Sequence, residues 1–265
     1  DDPISGGRHK VIGSKELNIP PQTSTIASHL PKAVGTAFSI DHAKGLDISE
    51  RCLLDESIVI CSFGDASANH ATALSAFNTA SLISNQGGHV PIVFICEDNG
   101  LGISVPTQAN WIEENFKNRN CMEYIKTDGL NLIDLFNKPL IAEQTCRAKR
   151  KPVFLHMKTV RLMGHAGSDV ELGYQSIKDL EDSENNDPLL HTSRILIENN
   201  CLTTEEILAL YELSRNRVNH IFNTATFRPT LMSSDEVMSS ISLNMDQKEL
   251  PKKPDKNTRK NKLGK

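Results

Sequence analysis

The sequence predicts an α/β fold, a three-layer parallel sheet flanked by helices, and two observations indicate it. Three short apolar runs, at residues 57–63, 90–96 and 152–157, are rich in β-branched side chains and lack strict alternation. Such runs are typical of strands that are buried on both faces of a parallel sheet. The segment 66–85 between the first two runs is Ala-rich and carries large apolar residues at helical spacing. It predicts the crossover helix that joins two parallel strands.

The other elements follow in order along the chain. Small and apolar residues mix in a helical pattern from residue 24 to residue 43. Residues 131–150 predict another helix, just before the third strand. Further on, Thr203 and Glu206 form a capping-box pattern, which predicts the start of a long amphipathic helix.

The end of the chain has a different composition. Beyond Thr226 it becomes Ser/Met-rich and then Pro/Lys-rich, and residues 251–265 hold seven Lys or Arg and one Asp. The signals of packing fade there. We therefore expect a folded domain over residues 1–225 and a flexible basic tail or linker over residues 226–265.

The composition argues against several classes of protein. The net charge is −4, and because the basic tail carries +6, residues 1–250 carry −10. An acidic body argues against a nucleic-acid enzyme. Since no apolar run is long enough to span a bilayer, we expect no membrane partner. Six scattered cysteines without a CxxC pair indicate a reducing compartment, either the cytoplasm or, in a eukaryote, the mitochondrial matrix.

Polar clusters follow the first two predicted strands. Gly64 and Asp65 come after the first, and Asp98 and Asn99 come after the second. Since ligands bind at the carboxyl ends of parallel strands, both clusters fall on the functional edge of one β-α-β unit. Carboxylate and amide oxygens suit Mg²⁺ or Ca²⁺, and a helix that begins near Ala66 would direct its N-terminus at a phosphate. The alternative is ordinary turn chemistry, because Gly, Asp and Asn are common in turns.

A third polar segment, residues 159–169, follows the third strand. Arg161 is a candidate to bind a phosphate group, and His165 in its Gly-flanked loop is a candidate for proton transfer, since histidine serves that role near neutral pH. Each alone is more often a solvated side chain. Their place after a strand makes them candidates for the same site.

Together these residues resemble a known family. Gly64-Asp65, the crossover helix and Asp98-Asn99 resemble the thiamine-diphosphate motif, and the chain from residue 24 to residue 225 resembles the alpha subunit of the first component of 2-oxo acid dehydrogenase complexes. Five stretches carry the resemblance, at residues 24–35, 64–69, 94–99, 126–129 and 164–169. The resemblance implies a thiamine-diphosphate-binding fold, specifically its pyrophosphate-binding domain, with thiamine diphosphate and Mg²⁺ as cofactors.

The resemblance also implies roles for particular residues. Asp65 and Asn99 match side-chain ligands of Mg²⁺, and Leu101 matches a backbone-carbonyl ligand. His165 matches an active-site histidine that handles protons during acyl transfer. Four further positions match residues that lie against the cofactor, the first three beside the diphosphate and the last beside the aminopyrimidine: Ala66, Ser67, Arg161 and Ile26. Three others fall where some members bind potassium: Ser24, Ser28 and His29.

The sequence departs from the family pattern at four positions. Ala66 replaces the second Gly of the motif, and Asp98 replaces the first Asn of its final pair. Ala166 stands where some members carry a phosphorylated serine, so we expect that phosphoswitch to be absent. His29 replaces the usual Gln of the potassium site.

The family also implies partners. The glutamate that activates the cofactor comes from a pyrimidine-binding domain on the beta subunit, and no candidate for that domain occurs in this sequence. We therefore expect a piece of a longer protein, working with a beta subunit or a fused pyrimidine-binding half and with a lipoyl acyltransferase. The reaction implied is oxidative decarboxylation of a 2-oxo acid, branched-chain first and pyruvate second. The alternatives are a transketolase-like thiamine-dependent enzyme and a non-catalytic structural subunit.

Overall fold

A computed structural model describes residues 12–14, 16–22, 25–46, 53–227 and 229–238 of the 265-residue chain. The chain divides into two compact units, one of residues 1–22 and 222–265 and one of residues 23–221. In the first unit, β1 (Ile12–Ser14) pairs antiparallel with β2 (Ile19–Gln22).

The second unit alternates helices and strands. In chain order its elements are α1 (His29–Gly45), β3 (Val59–Gly64), α2 (Ala71–Asn85), β4 (Ile92–Asp98), β5 (Leu101–Gly102), β6 (Val105–Pro106), α3 (Trp111–Phe116), β7 (Glu123–Asp128), α4 (Leu132–Lys149), β8 (Val153–Lys158), α5 (Ile177–Asn185) and α6 (Pro188–Glu198). They are followed by α7 (Thr204–Thr226) and then by α8 (Ser234–Met238). No described helix combines the length and the apolar character needed to cross a membrane.

Four strands form one parallel sheet in the order β3-β4-β8-β7. The helix α2 connects β3 to β4, and α4 connects β7 to β8. Because all four strands run in the same direction, their carboxyl ends share one edge of the sheet. The short antiparallel hairpin β5–β6 follows β4 at that edge.

The sheet is covered on both faces. On one face, α1, α2 and α3 pack against aromatic strand residues that include Phe63, Phe94 and Phe154. Ring centroids of neighbouring phenylalanines there lie 4.0–6.5 Å apart. On the other face, Ala142 and Cys146 of α4 pack against β4 and β8. The expected three-layer α/β fold is therefore confirmed.

The helix ends follow from local sequence. Asn131 accepts hydrogen bonds from the backbone N–H groups of Ile133 and Asp134, which starts α4 close to the predicted position. Thr203 Oγ1 accepts a bond from Glu206 N, and Glu206 Oε2 accepts one from Thr203 N, so the predicted capping box is confirmed.

Two expectations differ from the structure. The crossover helix does not begin near Ala66: a 3₁₀ helix spans Asp65–Asn69, and α2 starts only after the extended residue His70. The 3₁₀ helix and His70 therefore separate Asp65 from the start of α2. The fourth strand, β7, was not predicted at all, because its sequence EYIKTD contains charged residues, which the edge of a sheet tolerates.

Candidate active site

Asp65 begins the 3₁₀ helix directly after β3, and its carboxyl group is buried, with 3% of the residue exposed. Thr107 Oγ1 donates a hydrogen bond of 2.5 Å to Asp65 Oδ2. Asp98 ends β4 beside it, because β3 and β4 pair in parallel register. The structure thus brings two buried carboxyl groups together at the carboxyl edge of the sheet.

Asp65 is an unusual carboxylate. Burial raises its pKa, the hydrogen bond from Thr107 opposes that rise, and the negative charge of Asp98 adds to it. In the part of the chain that the structure describes, Asp65 forms no salt bridge, whereas Asp98 forms one with Lys158 and also shares a hydrogen bond with the His156 ring. Buried charges in proteins are generally paired or coordinate a metal ion. The described residues give Asp65 a hydroxyl partner but no cation.

Asp98 is held by two side chains of the neighbouring strand β8. Its Oδ2 accepts hydrogen bonds from His156 Nε2 at 2.7 Å and from Lys158 Nζ at 2.9 Å. A further hydrogen bond of 2.6 Å joins His156 Nδ1 to the Tyr124 hydroxyl. Burial alone would raise the pKa of Asp98, but the bonds from His156 and Lys158 lower it to about 2. Asp98 is therefore ionised at neutral pH, within a network that crosses β4, β8 and β7.

Asn99 starts the hairpin that covers this edge. Its Oδ1 accepts a bond of 2.9 Å from Leu101 N, and Thr107 N donates to Gly100 O at 2.9 Å, which closes the base of the hairpin. The two-residue loop between β5 and β6 places Ile103 at a φ of 61°. A left-handed conformation is rare for a β-branched residue, so this loop is strained.

Two cavities border the hairpin, and the predicted site residues divide between them. The first, of about 280 Å³, is lined by Asp65 and Ala66 together with Thr107 and Trp111. Three predicted residues share the second, of about 270 Å³: Asn99, Leu101 and Arg161. The two cavities are neighbours, since the consecutive residues Asp98 and Asn99 line one each.

Arg161 is fixed by two hydrogen bonds. Nη1 donates to the Ile103 carbonyl at 2.6 Å, and Nη2 donates to the Tyr174 hydroxyl at 2.6 Å. The guanidinium also lies 5.8 Å from the centre of the Tyr174 ring. Its Nε is buried and has no hydrogen-bond partner among the described residues. Arg161 also lines the second cavity, where the positive charge of its guanidinium suits an anionic group.

His165 lies in the loop after β8, with an exposed side chain. Its backbone N–H donates to Asp169 Oδ2 at 2.7 Å, and the Tyr174 hydroxyl donates to the same oxygen at 2.7 Å. These bonds lower the pKa of Asp169. Because Tyr174 also holds Arg161, the histidine loop and the arginine share one anchor.

The remaining predicted residues lie further from the two cavities. Ser67 belongs to the 3₁₀ helix but lines neither cavity. Ile26 precedes α1 and is 58% exposed. Of the three potassium positions, Ser24 lies outside the described residues, Ser28 precedes α1, and His29 Nε2 forms a hydrogen bond of 2.9 Å with the Ser62 carbonyl.

The space around Gly64 and Ala66 bears on whether a ligand could bind at this edge of the sheet. A Cβ added at Gly64 would meet no atom within 4 Å, and its φ of −79° suits any residue. Neither packing nor backbone conformation within the described chain therefore requires glycine there. The methyl group of Ala66 lies 3.0 Å from the position of a Cβ on Gly102, so the absence of a side chain at Gly102 accommodates it.

A sequence model of the family described as dehydrogenase E1 component matches residues 2–233 of the chain. The chain belongs to the dehydrogenase E1 component family. The family's match therefore covers both cavities and the loop that carries His165.

Curated relatives of this dehydrogenase E1 component protein include alpha subunits of two kinds. It is 27% identical over 244 residues to the mitochondrial 2-oxoisovalerate dehydrogenase subunit alpha of Mus musculus, covering 89% of this chain and 52% of the relative. It is 24% identical over 220 residues to the mitochondrial pyruvate dehydrogenase E1 component subunit alpha of Dictyostelium discoideum, covering 82% and 54%. The chain spans about half the length of these relatives.

Five residues of the candidate site in this E1 component protein were not predicted from the sequence: Thr107, Tyr124, His156, Lys158 and Tyr174. Thr107 and Tyr124 are polar residues without a motif of their own. His156 did carry a signal, since it interrupts an apolar strand and is only 2% exposed. Its partner Asp98 is 58 residues away in sequence, so only the strand order reveals the contact.

Proposed function

We propose that this chain supplies the diphosphate- and metal-binding half of a thiamine-diphosphate-dependent 2-oxo acid dehydrogenase. The observation that carries the proposal is the Asp65 carboxylate, which is buried at the carboxyl edge of the sheet without a described cationic partner. A divalent cation would neutralise it and would also lower the repulsion between Asp65 and Asp98. Family membership supports the same reading.

The chemistry of the donors suits Mg²⁺. The carboxylate of Asp65, the side-chain oxygen of Asn99 and the carbonyl of Leu101 are hard oxygen ligands, and Mg²⁺ completes its shell with water and phosphate oxygens. Asn99 Oδ1 already accepts one bond from Leu101 N, and a carbonyl oxygen has a second lone pair for a metal ion. The described residues contain no group of three or more His, Cys, Asp or Glu that could hold a metal ion, so the proposed Mg²⁺ would take its remaining ligands from water and phosphate.

The other residues bind the anion and handle protons. Arg161, which lines the second cavity and is oriented by Ile103 and Tyr174, would donate a guanidinium N–H to a diphosphate oxygen. Gly64, Ala66 and Ser67 would lie along the diphosphate, and Ile26 would contact the aminopyrimidine. Bound thiamine diphosphate supplies the electron sink for loss of CO₂ from a 2-oxo acid. His165, exposed on its loop, would hold or release a proton as the acyl group leaves.

The names of the relatives suggest the substrate, and family membership suggests the partners. Their names specify 2-oxoisovalerate and pyruvate, so we propose a branched-chain 2-oxo acid as the first substrate and pyruvate as the second. The acyl group would pass to the lipoyl group of an acyltransferase partner. A beta subunit, or a fused pyrimidine-binding domain, would supply the activating glutamate. The relatives are named as mitochondrial, so the mitochondrial matrix is the proposed compartment.

We also propose that residues 1–225 act as the pyrophosphate-binding domain and residues 226–265 as a basic linker. α7 ends at Thr226, and the only described helix after it, α8, is short. Both observations support a domain boundary near residue 226. Residues 239–265 lie outside the described part.

The test is cofactor binding by the full-length gene product, purified with the subunits that accompany it. Thiamine diphosphate is titrated by calorimetry with and without Mg²⁺, for the wild type and for Asp65→Asn. We expect metal-dependent binding that Asp65→Asn abolishes. Glu143→Gln removes the same charge from an exposed side chain of α4 and serves as the matched control.

The outcomes distinguish a catalytic subunit from a structural subunit. Metal-dependent binding that is lost only in Asp65→Asn supports the enzyme and justifies assays with 2-oxo acids and a lipoylated partner. If the wild-type assembly forms but binds no cofactor, the chain is a structural subunit and the proposed function is wrong.

A further inference from the structure

We propose that Tyr124, His156 and Lys158 are positioning residues that hold the Asn99 ligand loop in its metal-binding conformation. The inference rests on the proposed function and extends it to side chains that do not themselves reach the metal. It is carried by one continuous hydrogen-bond network that begins on β7 and ends at the residue before Asn99.

The network fixes Asp98 at four points. His156 Nε2 and Lys158 Nζ donate to Oδ2, and the backbone N–H of Gly100 donates to Oδ1 at 3.2 Å. The Asp98 carbonyl accepts the N–H of Thr159 at 2.9 Å, which continues the ladder between β4 and β8. Because Asp98 is held in this way, the backbone of its neighbour Asn99 has little conformational freedom.

Asn99 is constrained from the other side as well. Its Oδ1 is oriented by Leu101 N, and the Gly100 carbonyl accepts Thr107 N. Asn99 therefore lies between two fixed residues, and its side chain faces the cavity that it shares with Leu101 and Arg161. Moving Asp98 would move both the amide ligand and the carbonyl of Leu101.

A single assignment of donors and acceptors satisfies every hydrogen bond between Asp98, His156 and Tyr124. An ionised Asp98 only accepts, so His156 must donate from Nε2. In the tautomer that carries its proton on Nε2, His156 accepts at Nδ1 from the Tyr124 hydroxyl, which lies 2.6 Å away. His156 is 2% exposed, so each of its ring nitrogens has a protein partner in place of water. Removing the Tyr124 hydroxyl leaves a buried nitrogen without a partner and frees the ring to turn.

The position of Thr127 provides a matched control. It lies on β7 like Tyr124, it is 1% exposed, and its Oγ1 has no hydrogen-bond partner among the described residues. Thr127→Val therefore removes a buried hydroxyl from the same strand without touching the network. Comparing Tyr124→Phe with Thr127→Val distinguishes the loss of any buried hydroxyl on β7 from the loss of the Tyr124–His156 hydrogen bond.

The experiment measures metal affinity in the full-length protein with its accompanying subunits. Mn²⁺ is titrated at a fixed, saturating concentration of thiamine diphosphate and followed by electron paramagnetic resonance. Residues that orient metal ligands typically contribute about 10- to 100-fold to affinity. We expect Tyr124→Phe and His156→Gln to raise the Mn²⁺ Kd by about that factor, and Thr127→Val to leave it unchanged. At saturating Mn²⁺, kcat should return towards the wild-type value.

Lys158→Met keeps the test decisive if the buried variants do not fold. The Lys158 side chain is 48% exposed, so its removal should leave the fold intact and raise the Mn²⁺ Kd. Unchanged Mn²⁺ affinity in the folded variants overturns this inference and leaves the proposed function standing. Failure of the wild type to bind Mn²⁺ overturns the proposed function and this inference together.

Discussion

Thr107 donates its hydroxyl to the buried carboxylate of Asp65, although 42 residues separate them in the sequence. The bond ties the end of the β5–β6 hairpin to the end of β3. It is also the side-chain hydrogen bond that most opposes the effect of burial on Asp65. The stability of the metal-free chain should therefore depend on this hydroxyl.

Thr107→Val is expected to lower the free energy of unfolding of the metal-free protein by about 1.5–3 kcal/mol, because a hydrogen bond to a charged group is lost. Thr107→Ser keeps the hydroxyl and should cost less. Urea denaturation of both variants gives the comparison. Equal stability of the Val and Ser variants would show that the bond contributes nothing.

Gly64→Ala should leave stability within about 0.5 kcal/mol of the wild type, because the added methyl group meets no neighbouring atom. Thiamine diphosphate affinity should fall, since overpacking against a bound group costs about 1–3 kcal/mol. Thermal unfolding and calorimetry measure the two effects separately. Gly129→Ala is the contrasting variant: its Cβ would overlap the Lys158 carbonyl, so we expect it to destabilise the fold itself. Full cofactor affinity in Gly64→Ala would contradict the assigned role of that glycine.

The reactivity of each cysteine should fall as the burial of its thiol increases. Burial raises the pKa of Cys61 to about 12 and that of Cys146 to about 12, and it also raises the pKa of Cys96. Cys201 is exposed. Iodoacetamide at pH 8 should label Cys201 rapidly and the three buried thiols only after unfolding, as peptide mass spectrometry would show. Rapid labelling of Cys61 in the folded protein would refute the packing of β3.

Glu113 should make the stability of α3 depend on pH. Hydrogen bonds from Lys126 and Lys117 lower its pKa from 4.5 to about 2. A lowered pKa contributes stability above pH 4.5, and that contribution is lost as the pH falls towards 2. Glu113→Gln should therefore lower Tm at pH 7, by an amount that shrinks across this window. Glu114→Gln, on the next residue of the same helix, is the control. A Tm difference for Glu113→Gln that stays constant down to pH 2 would contradict the assignment.

The layers of the fold were predictable because strands that are buried on both faces have recognisably apolar sequences. β4 begins with five apolar residues, β8 is apolar apart from His156 and Lys158, and Asn131 and Thr203 are recognisable caps. β7 was missed because an edge strand can carry Lys and Asp without cost, so its composition does not distinguish it from a loop.

The site was predictable only in part. Asp65, Asn99 and Arg161 could be singled out because each follows a strand, and position after a strand can be read locally. The partners that orient them could not, because Thr107, His156 and Tyr174 act through contacts that depend on strand order and on the path of a loop. The start of α2 was misplaced because Ala66 favours helix, whereas the extended His70 interrupts it.

The hairpin of Leu101–Pro106 has a consequence for how this chain can vary in length. Its first residue orients Asn99, its strained Ile103 holds Arg161, and the residue after it holds Asp65. Surface loops generally accept insertions at a small entropic cost. Here a single inserted or deleted residue would displace three separate candidate binding groups at once, so we expect the proposed site, and not the loop, to set the number of residues between Asn99 and Thr107.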